Sequence, residues 1–279
     1  MISAALKIGR RSQCQVQSFP TQNACQWRDR RWVERIARAL AERRFCLYTQ
    51  EVVSLTTLDP KRYCEILVRL TDDEGQVIPA SAFLPVAERR GLMGEIDRWV
   101  MAAVFDLLSE SSQKIRDTYR FAINLSGATF YDRNYWQWVE EELTQRELTP
   151  DRLCFEIPES TILENLQAAA DAIAQLQIRG YYVTVDRVGS QCRTLDYLTY
   201  LCIDYLKIAD SFVNNIADDP TDLAIVEMIH CVGQLLGLQT IAKGVESEAA
   251  FRAIKALEVD YAQGCYLTRP HLLQTQFLG

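Results

Sequence analysis

Two periodicities alternate along this chain from residue 45 to its end, and that alternation constrains the fold more than any other feature. Runs of apolar and β-branched residues at 45–53, 63–70, 121–125, 153–157, 182–185, 205–208, 239–242 and 261–262 read as strands. Between them, at 81–90, 95–111, 135–145, 161–178, 222–236 and 248–257, apolar residues recur every three or four positions, as on the buried face of a helix. Gly180, Gly237 and Pro150 stand just before strands, where helices stop. Strands that alternate with helices form parallel units, and about eight of them close a barrel of the TIM type. The first two runs are joined only by a turn at 55–60, too short for a crossover helix, so the first strand is expected to run antiparallel. The fold class expected is therefore α/β, a modified TIM (β/α)8 barrel with an antiparallel first strand.

Ahead of the barrel, Trp32, Ile36, Ala39 and Leu40 recur at helical spacing and predict an amphipathic helix over 28–43. Residues 1–28 are polar and aperiodic, which predicts a poorly ordered extension and leaves 29–279 as the barrel domain. A chain of 279 residues, 48% hydrophobic and 24% charged, has ample core for this fold. Its net charge of −7 argues against binding DNA or RNA polymers or an anionic membrane. It has no run of 18 apolar residues and no signal-peptide stretch, so no membrane partner and a cytoplasmic location are expected. Nine cysteines without a C-x-x-C pair read as scattered, reduced thiols. Two histidines, His230 and His271, argue against a histidine metal site or a Ser-His-Asp triad.

Function in such barrels gathers at the C-terminal ends of the strands. Asn124, Glu156, Asp186, Lys207 and Lys243 each fall at or near the end of an apolar run, and Glu65 lies inside its strand, where an inward carboxylate would face the barrel mouth. One polar residue ending a strand is commonplace; five on successive strands are not. One amide, three carboxylates and a lysine suit a hard, oxygen-liking cation such as Mg²⁺ or Mn²⁺. Arg187 and Lys243, however, stand where such a cluster would need further acids.

Several stretches carry a resemblance to a known family. They are Arg44-Phe45-Cys46-Leu47-Tyr48-Thr49-Gln50, Glu65-Ile66-Leu67-Val68-Arg69, Ile123-Asn124-Leu125-Ser126, Glu156-Ile157-Pro158-Glu159-Ser160, Leu206-Lys207-Ile208, Gly244-Val245-Glu246 and Gln263-Gly264. In order and spacing, from about residue 29 onward, the chain resembles the EAL domain, a modified TIM barrel that hydrolyses the bacterial second messenger cyclic di-GMP to a linear dinucleotide with Mg²⁺ or Mn²⁺. The resemblance implies a first metal site at Glu65, Asn124, Glu156 and Asp186. It places Lys207 on the attacking water or a phosphate oxygen, and Glu159 as a brace for the loop after the run 182–185. Gln50, Leu67 and Arg69 match positions that contact the dinucleotide, Arg69 being suited to a phosphate oxygen. Glu246 and Gln263 match polar positions near the site, and Lys207, Glu159 and Glu246 make up the catalytic set, here vestigial.

Departures from the family pattern shape the expected function. Its Asp-Asp-Phe-Gly-Thr-Gly run is here Asp186-Arg187-Val188-Gly189-Ser190-Gln191, so Arg187 replaces a ligand of the second metal and Gln191 replaces a glycine. Lys243 replaces the first Glu of Ala-Glu-Gly-Val-Glu, which turnover requires; Ala209 replaces the Asp of Leu-Lys-Ile-Asp, with Asp210 following. An ammonium about 4 Å from a divalent cation is repelled by roughly 8 kcal/mol at an effective dielectric of about 20, before solvent and side chains rearrange. Two-metal hydrolysis needs both ions, so the second site is expected to be lost and turnover with it. Arg187 and Lys243 either take phosphate oxygens themselves or form ion pairs with Glu156, Glu159 or Asp186 that close the pocket. The expected function is a regulatory cyclic di-GMP receptor, a protein-interaction module, or both. The alternatives are an active metal-dependent phosphodiesterase and a scaffold that binds no nucleotide. An unidentified protein partner is expected, and the altered loop 188–194 leaves room for a homodimer.

Overall fold

The computed structural model describes residues 22–55, 61–191, 194–273 and 277. It opens with helix α1 (Gln22–Ala41), which leads into strands β1 (Phe45–Ser54), β2 (Arg62–Thr71) and β3 (Val77–Pro79). Helices α2 (Ala80–Arg89), α3 (Met93–Glu110) and α4 (Gln113–Thr118) lead to β4 (Tyr119–Asn124), and α5 (Gly127–Phe130) and α6 (Arg133–Gln145) to β5 (Leu153–Pro158). Then come α7 (Glu159–Glu164), α8 (Leu166–Ile178), β6 (Tyr182–Val188), β7 (Tyr205–Ile208), α9 (Asp210–Val213), α10 (Pro220–Leu235), β8 (Gln239–Lys243), α11 (Glu248–Ala256), β9 (Tyr261–Gln263) and β10 (His271–Leu272).

The sheet closes on itself. Strands β2, β4, β5, β6, β7, β8 and β9 run parallel in that order. Strand β1 fills the gap between β2 and β9, antiparallel to both. The expected barrel with an antiparallel first strand is thus the one found. A crossover helix would have been needed to lay β1 parallel to β2, and the connection has no room for one. The outer face of the strands packs on the helices through residues such as Phe83, Met101, Phe105, Ile173, Ile229 and Ile254, all buried. Each such side chain contributes about 1.5–3 kcal/mol when withdrawn from water.

Three expectations change at the level of elements. Helix α1 begins at Gln22, not at residue 28, so 22–28 belong to a helix; the rest of the expected extension, 1–21, lies outside the described residues. Its expected apolar face is real: Ile36 and Ala39 are fully buried, and Trp32 meets Phe83 of α2 at 6.5 Å between ring centres. The single helix expected over 161–178 is two, α7 and α8, broken at Asn165, whose side chain accepts a hydrogen bond from Ala168 N and so caps α8. Finally, β6 runs three residues past its expected end because it carries a bulge. Val185 pairs with Leu206 and Val188 with Ile208, so three residues of one strand span two of the other. Arg187 sits in that bulge with φ of 61°, a left-handed conformation uncommon outside glycine.

Candidate functional site

Side chains alternate across a strand, so residues two apart share a face. Inside the barrel this rule builds two tiers. The lower tier is Val52, Tyr63, Ala122, Cys154, Tyr205, Ile241 and Tyr261, a buried cluster that fills the barrel. Two positions further toward the mouth on the same strands stand Gln50, Glu65, Asn124, Glu156, Lys207, Lys243 and Gln263, and Asp186 stands in the same relation to Thr184. An apolar floor therefore carries a polar tier. On β1 the offset runs backwards along the chain, as its antiparallel direction demands.

Lys207 occupies the middle of that tier and is fully buried. Its Nζ donates to Glu65 Oε2 and to both oxygens of Glu156, each at 2.8 Å. Glu65 also accepts from Asn124 Nδ2 at 2.8 Å and from Gln263 Nε2 at 2.6 Å. Gln263 reaches on to Gln50 Oε1 at 3.3 Å, and Gln50 donates to the carbonyl of Thr268. Burial pushes the Glu65 carboxyl up, but the ammonium of Lys207, with Lys243 behind it, outweighs burial and holds it well below the usual carboxylate range. Glu156 goes the other way: full burial and the neighbouring Glu65 charge push it up. Burial disfavours the Lys207 charge, yet the carboxylates of Glu156 and Glu65 raise that group and keep it protonated.

Toward the mouth, Asp186 is held from two sides. Lys243 Nζ lies 3.2 Å from Asp186 Oδ2, and Arg187 Nε lies 3.8 Å from the same oxygen. Of the two alternatives for these bases, the structure contains the ion pairs, made with Asp186 and not with Glu156 or Glu159. They do not seal the mouth: the Lys243 side chain is 25% exposed and that of Arg187 66%. Glu159, fully buried, accepts instead from Gly189 N, Gln191 N, Ser190 Oγ and Tyr197 OH, and so ties down the start of the loop that follows β6. Burial and the Glu159 carboxylate push the Tyr197 hydroxyl well above its ordinary value.

A model of the EAL domain family matches residues 33–270, most of the chain and all of the strands that carry this tier. The chain belongs to the EAL domain family. It is 32% identical over 243 residues, 87% of its length, to the cyclic di-GMP phosphodiesterase PdeB of Shewanella oneidensis, and covers 28% of that protein. It is 30% identical over 241 residues to the cyclic di-GMP phosphodiesterase PdeF of Escherichia coli, 86% of this chain and 32% of that one. The chain thus spans about a third of the length of the curated relatives it matches. Among solved structures, the FimX EAL domain of Pseudomonas aeruginosa bound to c-di-GMP superposes with a TM-score of 0.78 at 26% identity, over 86% of this chain and 96% of that one. The PaMucR phosphodiesterase in complex with c-di-GMP gives 0.79 at 28% identity, over 88% and 100%.

Within this EAL domain the residues matched to ligand contacts scatter in degree. Gln50 and Gln263 join the central network. Leu67 is half-buried, and Arg69 lies over the Tyr48 ring and donates to the carbonyl of Val68. Burial holds the Arg69 guanidinium below its ordinary value. Glu246 is exposed. Asp210 is exposed at the start of α9, next to buried Ala209. Gln191 costs the loop no left-handed backbone; that conformation falls at Arg187 and Gly189.

The sequence reading missed Tyr63, whose hydroxyl meets Thr184 Oγ1 at 3.0 Å and Glu156 Oε1 at 3.4 Å from below. Period-two spacing from Glu65 was the signal that could have found it. It also missed Asp97 of α3, which accepts from the backbone and hydroxyl of Ser126 and so pins the chain just past Asn124. No local signal marks that contact. A separate cavity of about 900 Å³ lies between α6 and α8, lined by Tyr131, Trp136, Glu140, Asp171 and Arg179 among others. It is outside the barrel, and the convergent polar groups are at the mouth.

The donor types at the mouth suit a hard cation, but their arrangement does not fit a metal pair. Lys207 already bridges Glu65 and Glu156, and Lys243 and Arg187 cover Asp186, so three acids face three protein cations. Among the described residues no three His, Cys, Asp or Glu side chains converge as ligands. No helix among them is long and apolar enough to cross a membrane.

Proposed function

We propose that this EAL domain is a cytoplasmic regulatory receptor that binds cyclic di-GMP at the barrel mouth, does not hydrolyse it, and reports the bound state to a protein partner. The observation that carries this reading is Lys243 Nζ at 3.2 Å from Asp186 Oδ2, an ammonium where a second cation would need an acid. Two-metal phosphodiester hydrolysis uses one ion to make the nucleophile and the other to stabilise the leaving oxygen. Here the second ion would meet Lys243 and Arg187. Gln50, Leu67, Arg69 and Gln263 are the residues proposed to contact the dinucleotide. A single Mg²⁺ or Mn²⁺ is proposed to go no further than Glu65, Asn124, Glu156 and Asp186, and only if Lys243 swings off Asp186. Lys207, Glu159 and Glu246 are then vestiges of the hydrolytic set, Glu159 keeping its hold on the loop.

The test is calorimetry with cyclic di-GMP in Mg²⁺ and in Mn²⁺, followed by chromatography of the mixture. Saturable binding with the cyclic dinucleotide recovered intact is expected. Conversion to the linear dinucleotide would overturn the reading, and absence of heat would leave a scaffold that binds partners alone. A second reading, an active phosphodiesterase working with one metal, is favoured by the Glu65–Lys207–Glu156 arrangement. It predicts turnover that disappears in Glu65→Ala.

A further inference from the structure

We infer that Lys243 and Arg187 form a phosphate-binding pair, so that this domain takes its phosphodiester ligand without any divalent cation. The inference rests on the receptor reading above and specifies how its site works. Both bases converge on one oxygen, Asp186 Oδ2, at 3.2 and 3.8 Å, so one phosphate at the mouth can meet both. Neither is used up by Asp186. Lys243 makes only long contacts, 3.2 and 3.4 Å, and an ammonium has three donors. The Arg187 contact, at 3.8 Å, is an ion pair beyond hydrogen-bond length, and its terminal nitrogens make no hydrogen bond among the described residues. A guanidinium with both terminal nitrogens open suits two phosphate oxygens at once.

The backbone points the same way. The bulge in β6 inserts one residue between Val185 and Val188, which breaks the period of two, so that Val188 takes the next buried place after Val185 and Arg187 is left exposed. Its left-handed conformation is held although a non-glycine residue there is strained. Next to it, Gly189 and Gln191 are fixed by Glu159 through their backbone amides, which keeps this side of the mouth in place.

Charge decides the role. Asp186 brings one negative charge against the two positive ones that converge on it, which favours an anion beside this pair. Deeper in, Lys207 Nζ lies 2.8 Å from the carboxylates of both Glu65 and Glu156, so a protein cation already stands between the two acids. The protein's own cations thus stand where the ligand's counterions would.

The experiment is calorimetry of the full chain with cyclic di-GMP in EDTA and in Mg²⁺, repeated for Arg187→Gln, Lys243→Gln, Lys243→Arg and the double variant Arg187→Asp with Lys243→Glu. Equal affinity in the two buffers is expected. Each Gln variant should bind about tenfold or more weakly in EDTA, since each loses a charged hydrogen bond to phosphate. Lys243→Arg should retain most of the affinity, and the double variant should bind only with Mg²⁺. Thermal unfolding of each variant separates a lost contact from a lost fold, and Arg187 is exposed enough for its substitution to be safe. Binding that vanishes in EDTA would overturn the inference and leave the receptor reading standing. Binding in EDTA that both Gln variants leave untouched would overturn it as well. No binding in either buffer would remove both readings together.

Discussion

Lys207 is the residue on which the interior of the barrel depends. Without it, Glu65 and Glu156 would face each other in a buried space with no cation between them. Removing one partner of a buried ionic group costs about 3–5 kcal/mol. Lys207→Met is therefore expected to lower the free energy of unfolding by about that much in urea titration. A loss below about 1 kcal/mol would mean the two acids find other partners. Glu65 adds a dependence on pH. Its native carboxyl is held below the unfolded value of about 4.3, so its contribution is complete above that pH and is lost as pH falls toward the native value. Urea unfolding between neutral pH and about pH 3 should show stability falling more steeply below about pH 4.3 in the parent chain than in Glu65→Gln. Glu156, pushed up to about 8, acts in the opposite sense: its share is complete below about pH 4.3 and is lost as pH rises from there to about 8. The identity of these residues was legible from the sequence, because polar residues inside or at the ends of apolar runs stand out. Their pairing was not, because Lys207 and Glu65 are 142 positions apart.

At the scale of elements, caps and glycines decide where segments stop and how closely they approach. Asn165 divides α7 from α8, a break that apolar periodicity alone ran through, since periodicity does not register the backbone of a single residue. Asn165→Ala is expected to cost about 1 kcal/mol, the loss of one cap, in thermal or chemical unfolding. Gly264 has a harder constraint. A Cβ there would lie 2.0 Å from the carbonyl oxygen of Val245 and 2.4 Å from its nitrogen, backbone atoms that cannot turn aside. Gly264→Ala is expected to cost about 3 kcal/mol or more. An unchanged melting temperature would show that the turn after β9 can open. The short strands β3 and β10 escaped the sequence reading because three and two residues are too few to show a period.

Across the whole molecule, closure removes free edges from the barrel strands, and the parallel strands β5, β6 and β7 lie far from the antiparallel seam at β1. Their amides are expected to exchange hydrogen only through global unfolding, with an opening free energy equal to that from urea titration. Exchange from a smaller opening would mean that this side of the barrel can loosen alone. Helix α1 packs outside the barrel against α2 and is expected to exchange sooner.

Sequence by itself determined the barrel, its antiparallel first strand and its family, because strand period, helix period and loop length are local properties of a chain. Tertiary structure decided which charge meets which. Lys207 settles between Glu65 and Glu156, whereas Lys243 and Arg187 converge on Asp186, since side chains distant in sequence pair by their position around a closed sheet. The exposure of Arg187 also depends on register, because the bulge that gives the buried place to Val188 exists only once β6 is laid beside β7. The sequence named the two bases; the closed sheet made them a pair.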